Sequence, residues 1–173
     1  MASYDLPGGK KVTVSDNLPP QERLQIAEDI KTYSKNIRGF KVVAVYGGAD
    51  ISAQIRSIER GCDVVVGTPG RTLDLIKRNR LNLEGVEFLV LDEADEMLSM
   101  GFKKDLNTIL DATTKSARNT WLFSATMPKD LKVIVERYIA KEAKRVEIDR
   151  ESIVNANISH HFVESTIVDK SHT

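Results

Sequence analysis

The stretch Phe88-Leu89-Val90-Leu91-Asp92-Glu93 limits the possible folds more than any other part of the chain. Four consecutive apolar residues bounded by acids are too short to span a membrane and fit a strand buried on both faces, as in parallel sheets covered by helices. The run stops abruptly at a carboxylate. Ligands bind beyond the carboxyl ends of strands in open parallel sheets, so Asp92 and Glu93 are expected on that rim. Adjacent acids there suit a magnesium ion and an activated water. Acids that follow a strand can equally begin a helix and favour its positive N-terminal end. The company the stretch keeps decides between the two.

The remaining chain alternates strand-like and helix-like segments. Pro19-Pro20 predicts a helix to about Ile37, with Ile26, Ile30, Tyr33 and Ile37 on its apolar side and Gly39 closing it. Lys41–Tyr46 and Asp63–Gly67 predict strands, with a short helix carrying Ile51, Ile55 and Ile58 between them. After Thr68-Pro69-Gly70-Arg71 comes a helix containing Leu73 and Ile76, and after the central acids a helix with Phe102, Leu106, Ile109 and Leu110. Thr120–Phe123 predicts the next strand, Pro128 opens a helix through Leu131, Ile134, Val135, Tyr138 and Ile139, and Arg145–Ile148 predicts a last strand. Repeated strand-helix-strand units imply an α/β fold, a three-layer sandwich whose mostly parallel sheet has helices on both faces.

The ends are less regular. Lys10-Lys11-Val12-Thr13-Val14, after the turn-forming Pro7-Gly8-Gly9, predicts a short strand or half of a hairpin. Gly9-Lys10 does not satisfy a phosphate loop, which needs Gly, four residues, then Gly-Lys-Ser/Thr opening a helix. Tyr4 and Lys11 stand at the required positions, and a strand follows. Beyond Asp149 the pattern breaks, with a possible strand at Ile158–Thr166 and adjacent His160-His161, which would point to opposite faces of a strand and so make a poor metal site. The expected division is residues 1–23 as a divergent N-terminal segment, 24–149 as the α/β domain and 150–173 as a linker leading to something further.

Composition narrows the function classes. Lys plus Arg equals Asp plus Glu at 25 each, so no global field draws the chain to nucleic acid or to an anionic membrane, and any phosphate binding must come from local geometry. The single cysteine, Cys62, permits neither an internal disulfide nor a zinc site and is expected to be a core thiol. No window approaches the ~18 apolar residues of a membrane helix, and the N-terminus lacks signal-peptide regions. An intracellular, soluble protein is expected, in the cytoplasm ahead of the nucleus, with no membrane partner.

Taken in order, Gly47-Gly48, Thr68-Pro69-Gly70-Arg71, Asp92-Glu93-Ala94-Asp95 and Ser124-Ala125-Thr126 each close a predicted strand. From Leu24 to the C-terminus the chain resembles the first RecA-like domain of a DEAD-box ATP-dependent RNA helicase. The resemblance implies ATP and magnesium in the intact family, with Asp92 orienting the metal largely through water and Glu93 acting as general base. It implies that Ser124, Ala125 and Thr126, hydrogen-bonding towards Asp95, couple the nucleotide site to strand separation. It also implies RNA backbone contacts at Gly47, Gly48, Thr68, Pro69, Gly70 and Arg71, with little sequence preference. Glycine lets a phosphate approach the main chain, a helix N-terminus offers free N–H groups, and Arg71 adds a forked donor. As a plain structural alternative, the Thr-Pro-Gly turn could merely cap a helix and Arg71 could pair with a surface acid.

The chain also departs from the family. It has no adenine-reading glutamine motif and no Walker A loop, and Leu18-Pro19-Pro20-Gln21-Glu22-Arg23 stands where the family has Pro-Thr-Arg-Glu-Leu-Ala. The family's second RecA-like domain is not present in these residues. The chain alone is therefore expected to be a fragment that neither binds ATP tightly nor hydrolyses it. A non-catalytic lobe binding RNA backbone or a protein, or an engineered scaffold, are the alternatives. Loss of the family's first strand is expected to expose a sheet edge, and to promote self-association, unless Lys10–Val14 covers it.

Overall fold

A computed structural model of the protein describes residues 10–14, 20–113 and 119–148, with side chains described from residue 24 onward. Contacts divide the chain into Met1–Lys141 and Glu142–Thr173. All regular elements among the described residues lie in the first unit. They run β1 (Lys10–Val14), α1 (Pro20–Tyr33), β2 (Val42–Val45), α2 (Ile51–Glu59), β3 (Val64–Gly67), α3 (Pro69–Lys77), β4 (Val86–Leu91), α4 (Ala94–Ser99), α5 (Lys103–Thr113), β5 (Asn119–Leu122) and α6 (Lys129–Tyr138). The strands form one five-stranded sheet in the order β2-β3-β1-β4-β5. Every pair is parallel.

A parallel pair cannot be closed by a hairpin, so each step needs a crossover, and a helix lies in every one. The chain starts in the middle of the sheet, builds β2 and β3 on one side, then crosses to β4 and β5 on the other. That reversal creates a switch point at the carboxyl end of β1, the position at which such sheets bind ligands.

Alternation along β3 assigns the two faces. Val64 and Val66 pack with Ala27 of α1, joined by Ile26, Ile30, Phe40, Val42 and Ala44. Val65, one residue out of phase, belongs to the larger core with Val45, Leu89, Leu91, Leu75, Met97, Leu106, Ile109, Leu110, Leu131 and Ile134. A strand whose four residues are all buried, as in β3, has no solvent face, and its sequence is correspondingly apolar throughout. Cys62 is half-buried and packs at the margin of the larger core.

Three local expectations are corrected. Residues 143–148 carry no regular structure, and Val146 and Ile148 are 76% and 88% exposed, so Arg145–Ile148 is not a strand. Alternating apolar residues make a strand only when a neighbouring strand pairs with them. Helix α1 ends at Tyr33, which is 84% exposed, and Ala27 rather than Tyr33 or Ile37 fills its buried side. Finally, β1 is not half of a hairpin: both its neighbours are parallel, and it occupies the centre of the sheet. Ile158–Thr166, His160-His161 and the segment 150–173 lie outside the described residues.

Among the described residues the edges of the sheet are β2 and β5. On β5, Trp121 and Phe123 beyond its end are 56% and 52% exposed. Among the described residues no helix is long and apolar enough to cross a membrane.

Central placement of β1 makes it the element whose loss the sheet tolerates least. Val12→Pro removes an N–H from a strand paired on both sides, and is expected to lower the unfolding free energy by at least about 2 kcal/mol. Val146→Pro, in the irregular exposed segment, is expected to change it by less than about 0.5 kcal/mol. Urea unfolding of both variants checks this, and equal effects would contradict the central pairing of Lys10–Val14.

Candidate functional site

Strand register fixes the level of the rim. Val45 lies beside Gly67, Gly67 beside Val14, Val14 beside Leu91 and Leu91 beside Leu122. The residues that follow this row, Tyr46, Thr68, Asp92 and Phe123, therefore emerge on the same side of the sheet. Strands are spaced by about 4.8 Å, so Thr68 and Asp92, separated by β1, stand roughly 10 Å apart. All four sequence motifs lie along one rim.

On the β4–β5 side the strand ladder continues past the strands themselves. Phe123 N donates to Leu91 O at 2.8 Å and Ala94 N donates to Phe123 O at 3.1 Å, which keeps the Ser124-Ala125-Thr126 loop against the start of α4. Side chains then lock the two together. Thr126 donates to Asp95 Oδ2 through both its N–H, at 2.8 Å, and its Oγ1, at 2.6 Å. Ser124 Oγ accepts from Asp95 N at 3.3 Å and donates to Thr126 O at 2.7 Å. Ala125 is exposed and contributes spacing between the two hydroxyl residues.

This network sets the charge of Asp95. Burial pushes its carboxyl up, but the hydrogen bonds from Thr126 Oγ1, from Ser124 and from the Thr126 N–H together outweigh burial and lower the pKa from 3.8 to about 2. Asp95 is therefore anionic across the physiological range, with its charge directed into the Ser-Ala-Thr loop.

Asp92 and Glu93 occupy the turn between β4 and α4. Asp92 Oδ1 accepts from Glu93 N at 3.0 Å, and Glu93 adopts φ 51° and ψ 44°. A left-handed conformation costs a non-glycine residue roughly 1 kcal/mol, and such strain concentrates where a side chain must be aimed. Both acids are partly buried. The helix they precede, α4, was foreseen only as the plain structural reading of the acids.

On the other side of β1, Gly47, Thr68, Gly70 and Arg71 meet in a cleft of about 410 Å³, with Asp74, Met100 and Phe102 completing its wall. Thr68 is 6% exposed, its N–H donates to Val45 O at 3.0 Å, and Pro69 is buried as the first residue of α3. Gly67 is required by packing, because a Cβ there would overlap Thr72 Oγ1 and lie 2.7 Å from Val45 Cγ2. Gly48 is required by conformation, with φ +82°, and stands outside the cleft wall. Arg71 is not simply a free forked donor. Its Nη1 and Nη2 each donate to Ala49 O at 3.2 Å, and Nη1 donates to Gln54 Oε1 at 3.0 Å.

Sequence reasoning missed Gln54, Asp74, Met100 and Phe102. Phe102 was assigned to a helix stripe, whereas its ring faces Gly70, 3.8 Å from where a Cβ would be. Gln54 carried a signal in hindsight: it falls within the short amphipathic α2 and is that helix's one buried residue.

For a magnesium–ATP complex the residues present are an incomplete fit. The carboxylates of Asp92 and Glu93 suit a hydrated magnesium, but that ion draws its remaining ligands from nucleotide phosphates. The sequence has no Gly-x-x-x-x-Gly-Lys-Ser/Thr segment to cradle them, and among the described residues no group of three or more His, Cys, Asp and Glu side chains could hold a metal.

A parallel α/β sheet with Asp92 and Glu93 at one strand end, a Ser-Ala-Thr loop hydrogen-bonded to Asp95 just beyond them and a Thr-Pro-Gly-Arg cleft alongside defines a RecA-like helicase lobe. The DEAD/DEAH box helicase family profile matches residues 23–134, and the chain belongs to that family. It is 53% identical over 115 residues to the RNA helicase CrhR of Synechocystis, covering 66% of this chain and 23% of that protein. It is 45% identical over 139 residues to the ATP-dependent RNA helicase DeaD of Escherichia coli K12, covering 80% of this chain and 22% of that protein. Among solved structures it resembles a hypothetical ATP-dependent RNA helicase from Sulfolobus tokodaii, with TM-score 0.71 and 36% identity over 78% of this chain and 39% of that one. A DEAD box protein from Methanococcus jannaschii gives TM-score 0.70 and 38% identity over 78% of this chain and 36% of that one. The chain thus spans less than a quarter of the CrhR and DeaD proteins. The DEAD-box family uses ATP and magnesium and acts on RNA.

The Asp95 network has a pH signature. A depressed folded-state pKa contributes stability that is fully present above the ordinary value of 3.8 and disappears as pH falls through about 2. Asp95→Asn is expected to cost about 1–2 kcal/mol at neutral pH, and the gap to the wild type is expected to close on acidification through that window. Thermal unfolding of both proteins from neutral to acidic pH measures it. A gap that stays constant into strong acid would show that the carboxylate's charge contributes nothing.

Proposed function

We propose that this chain is a lobe of a DEAD-box RNA helicase that binds the sugar–phosphate backbone of RNA and, by itself, does not hydrolyse ATP. The observation that carries the proposal is the convergence of Gly47, Thr68, Gly70 and Arg71 on one cleft beside the Asp92–Glu93 rim. Backbone N–H groups at the start of α3, the Thr68 hydroxyl and the Arg71 donors left over from Ala49 and Gln54 suit phosphate oxygens. Gly48 sets the turn that brings Gly47 to the cleft, and Pro69 fixes the first turn of the helix. Contacts of this kind position a strand without reading bases, so little sequence preference follows.

Asp92 and Glu93 are typed for a metal-bound water and for accepting a proton, and the Asp95–Ser124–Thr126 link is suited to carrying a change at one loop to the other. Neither role yields turnover without a cradle that holds the phosphate in line. ATP-driven unwinding therefore belongs to an assembly that supplies such a cradle and the second RecA-like domain. Residues 24–149 form the helicase lobe in this reading, with 1–23 completing its sheet and 150–173 leading towards the second domain. The outer edge of β5, with Trp121 and Phe123, is the place for self-association at high concentration. A cytoplasmic setting suits a protein of this class with a single cysteine.

Binding to a fluorescent single-stranded RNA, measured by anisotropy over a salt series, tests the RNA reading. With about three phosphates contacted, the log–log slope is expected near −2, and Arg71→Ala is expected to weaken binding by about tenfold. An affinity independent of salt, or untouched by Arg71→Ala, would remove the assignment. For ATP, RNA-stimulated hydrolysis is expected at background for the wild type and for Glu93→Gln alike. Glu93-dependent turnover by the isolated chain would mean that a second phosphate-holding segment exists, with Gly8-Gly9-Lys10-Lys11 the first to examine.

A further inference from the structure

Helix α2 turns Ile51, Ile55 and Ile58 towards the large core, yet its one buried residue is Gln54, 7% exposed. A buried amide costs free energy unless its donors and acceptor find partners. Here Nε2 donates to Tyr46 O at 3.1 Å and Oε1 accepts from Arg71 Nη1 at 3.0 Å. The opposite amide orientation would set N–H against guanidinium N–H and oxygen against carbonyl oxygen, so the two partners fix it.

These bonds bracket the Gly47-Gly48 turn. Tyr46 O, at its start, is bonded to Gln54, and Ala49 O, at its end, accepts from Arg71 Nη1 and Nη2 at 3.2 Å each. Side-chain packing does not hold the turn, because a Cβ at Gly47 or at Gly48 would meet nothing within 4 Å. With φ +82° at Gly48, the turn has a conformation that glycine shares with many others in the unfolded chain. The polar contacts select it. Arg71 also belongs to the first turn of α3, next to Thr68 and Gly70, so the Gln54–Arg71 pair ties the two halves of the cleft wall at a fixed separation.

We propose that Gln54 is a positioning residue for RNA: acting through Arg71, it holds the Gly47-Gly48 turn in register with the Thr68–Gly70 turn, so that both face one backbone track. It does not touch RNA. With Nη1 occupied by Gln54 and Ala49, Arg71 presents its Nε–H and remaining Nη2–H to the ligand in a set direction. This assignment rests on the RNA reading of the cleft.

The test compares wild type, Gln54→Met, Gln54→Glu, Arg71→Ala and the Gln54→Met/Arg71→Ala double variant, using oligouridylate affinity and amide hydrogen exchange at Gly47–Ala49. Gln54→Met keeps volume and removes both bonds; it is expected to weaken binding about tenfold and to raise exchange in the turn while α5 is unchanged. Gln54→Glu keeps the acceptor for Arg71 but sets a carboxylate oxygen against Tyr46 O, and is expected to weaken binding by clearly less than Gln54→Met. In the Arg71→Ala background, Gln54→Met is expected to add no further loss, the signature of one residue acting through the other. Wild-type affinity in Gln54→Met, an equal loss in Gln54→Glu, or fully additive losses in the double variant would each overturn the proposal while leaving RNA binding standing. Failure of the wild type to bind oligouridylate would instead overturn the RNA reading, and this assignment with it.

Discussion

Pairing of β1 on both sides is the constraint from which the rest of the rim follows. Lys10–Val14 has β3 along one flank and β4 along the other, so it joins two halves of a sheet that share no other direct strand contact. Its register with β4 shifts between Lys10 and Lys11, at the end remote from the rim, and from Lys11 to Val14 the ladders are regular. Gly67, Val14 and Leu91 consequently end level. Were β1 displaced by one residue, its side chains would exchange faces and the two motif-bearing loops would no longer stand at one height. The functional geometry thus depends on a strand that contributes no named functional side chain.

Above that frame, each half of the rim is fastened by a polar device of its own. On the β4–β5 side a carboxylate accepts two hydrogen bonds from Thr126, and on the β2–β3 side a guanidinium gathers one carbonyl and one amide oxygen. Both use a charged partner, and such bonds are about twice as strong as neutral ones. Both also fasten a loop to the first turn of a helix rather than to a strand. Apolar packing positions the strands to within the sheet's tolerance, but loops at a strand end have little apolar surface to bury, so directional bonds settle their conformation.

The fold was largely legible because its signals are local and repeated. Val64-Val65-Val66 and Phe88-Leu89-Val90-Leu91 can scarcely be anything but buried strands, and the glycine and proline positions mark where they stop. What escaped was non-local. Arg145–Ile148 alternates as a strand should, yet alternation carries no information about whether a partner is present. Tyr33 fits a helical stripe, but the helix lies so that small Ala27 meets Val64 and Val66. At the rim, a carboxylate after a buried strand was enough to place Asp92 and Glu93 at the end of β4, whereas Thr68 and Gly70 were singled out only by the resemblance to a family motif. Arg71's internal bonds were invisible because their acceptors, Ala49 O and Gln54 Oε1, lie 22 and 17 residues away, and one of them is a main-chain atom that no residue type announces.

The two halves of the rim end up electrostatically unlike, and this bears on how a polyanion would meet them. Asp95 directs its charge inwards to Thr126, but Asp92 and Glu93 leave the β4 side acidic, while the β3 side offers helix N–H groups, the Thr68 hydroxyl and what remains of Arg71. Some 10 Å of sheet separates them, about one Debye length at physiological salt, so repulsion from the acids is attenuated at the cleft without vanishing. With 25 cationic and 25 anionic residues the chain has no net field to override this local pattern. Under the proposed RNA reading, a nucleic-acid backbone would be directed to the Thr68–Arg71 side by short-range donors and kept from the Asp92–Glu93 side unless a cation neutralised it.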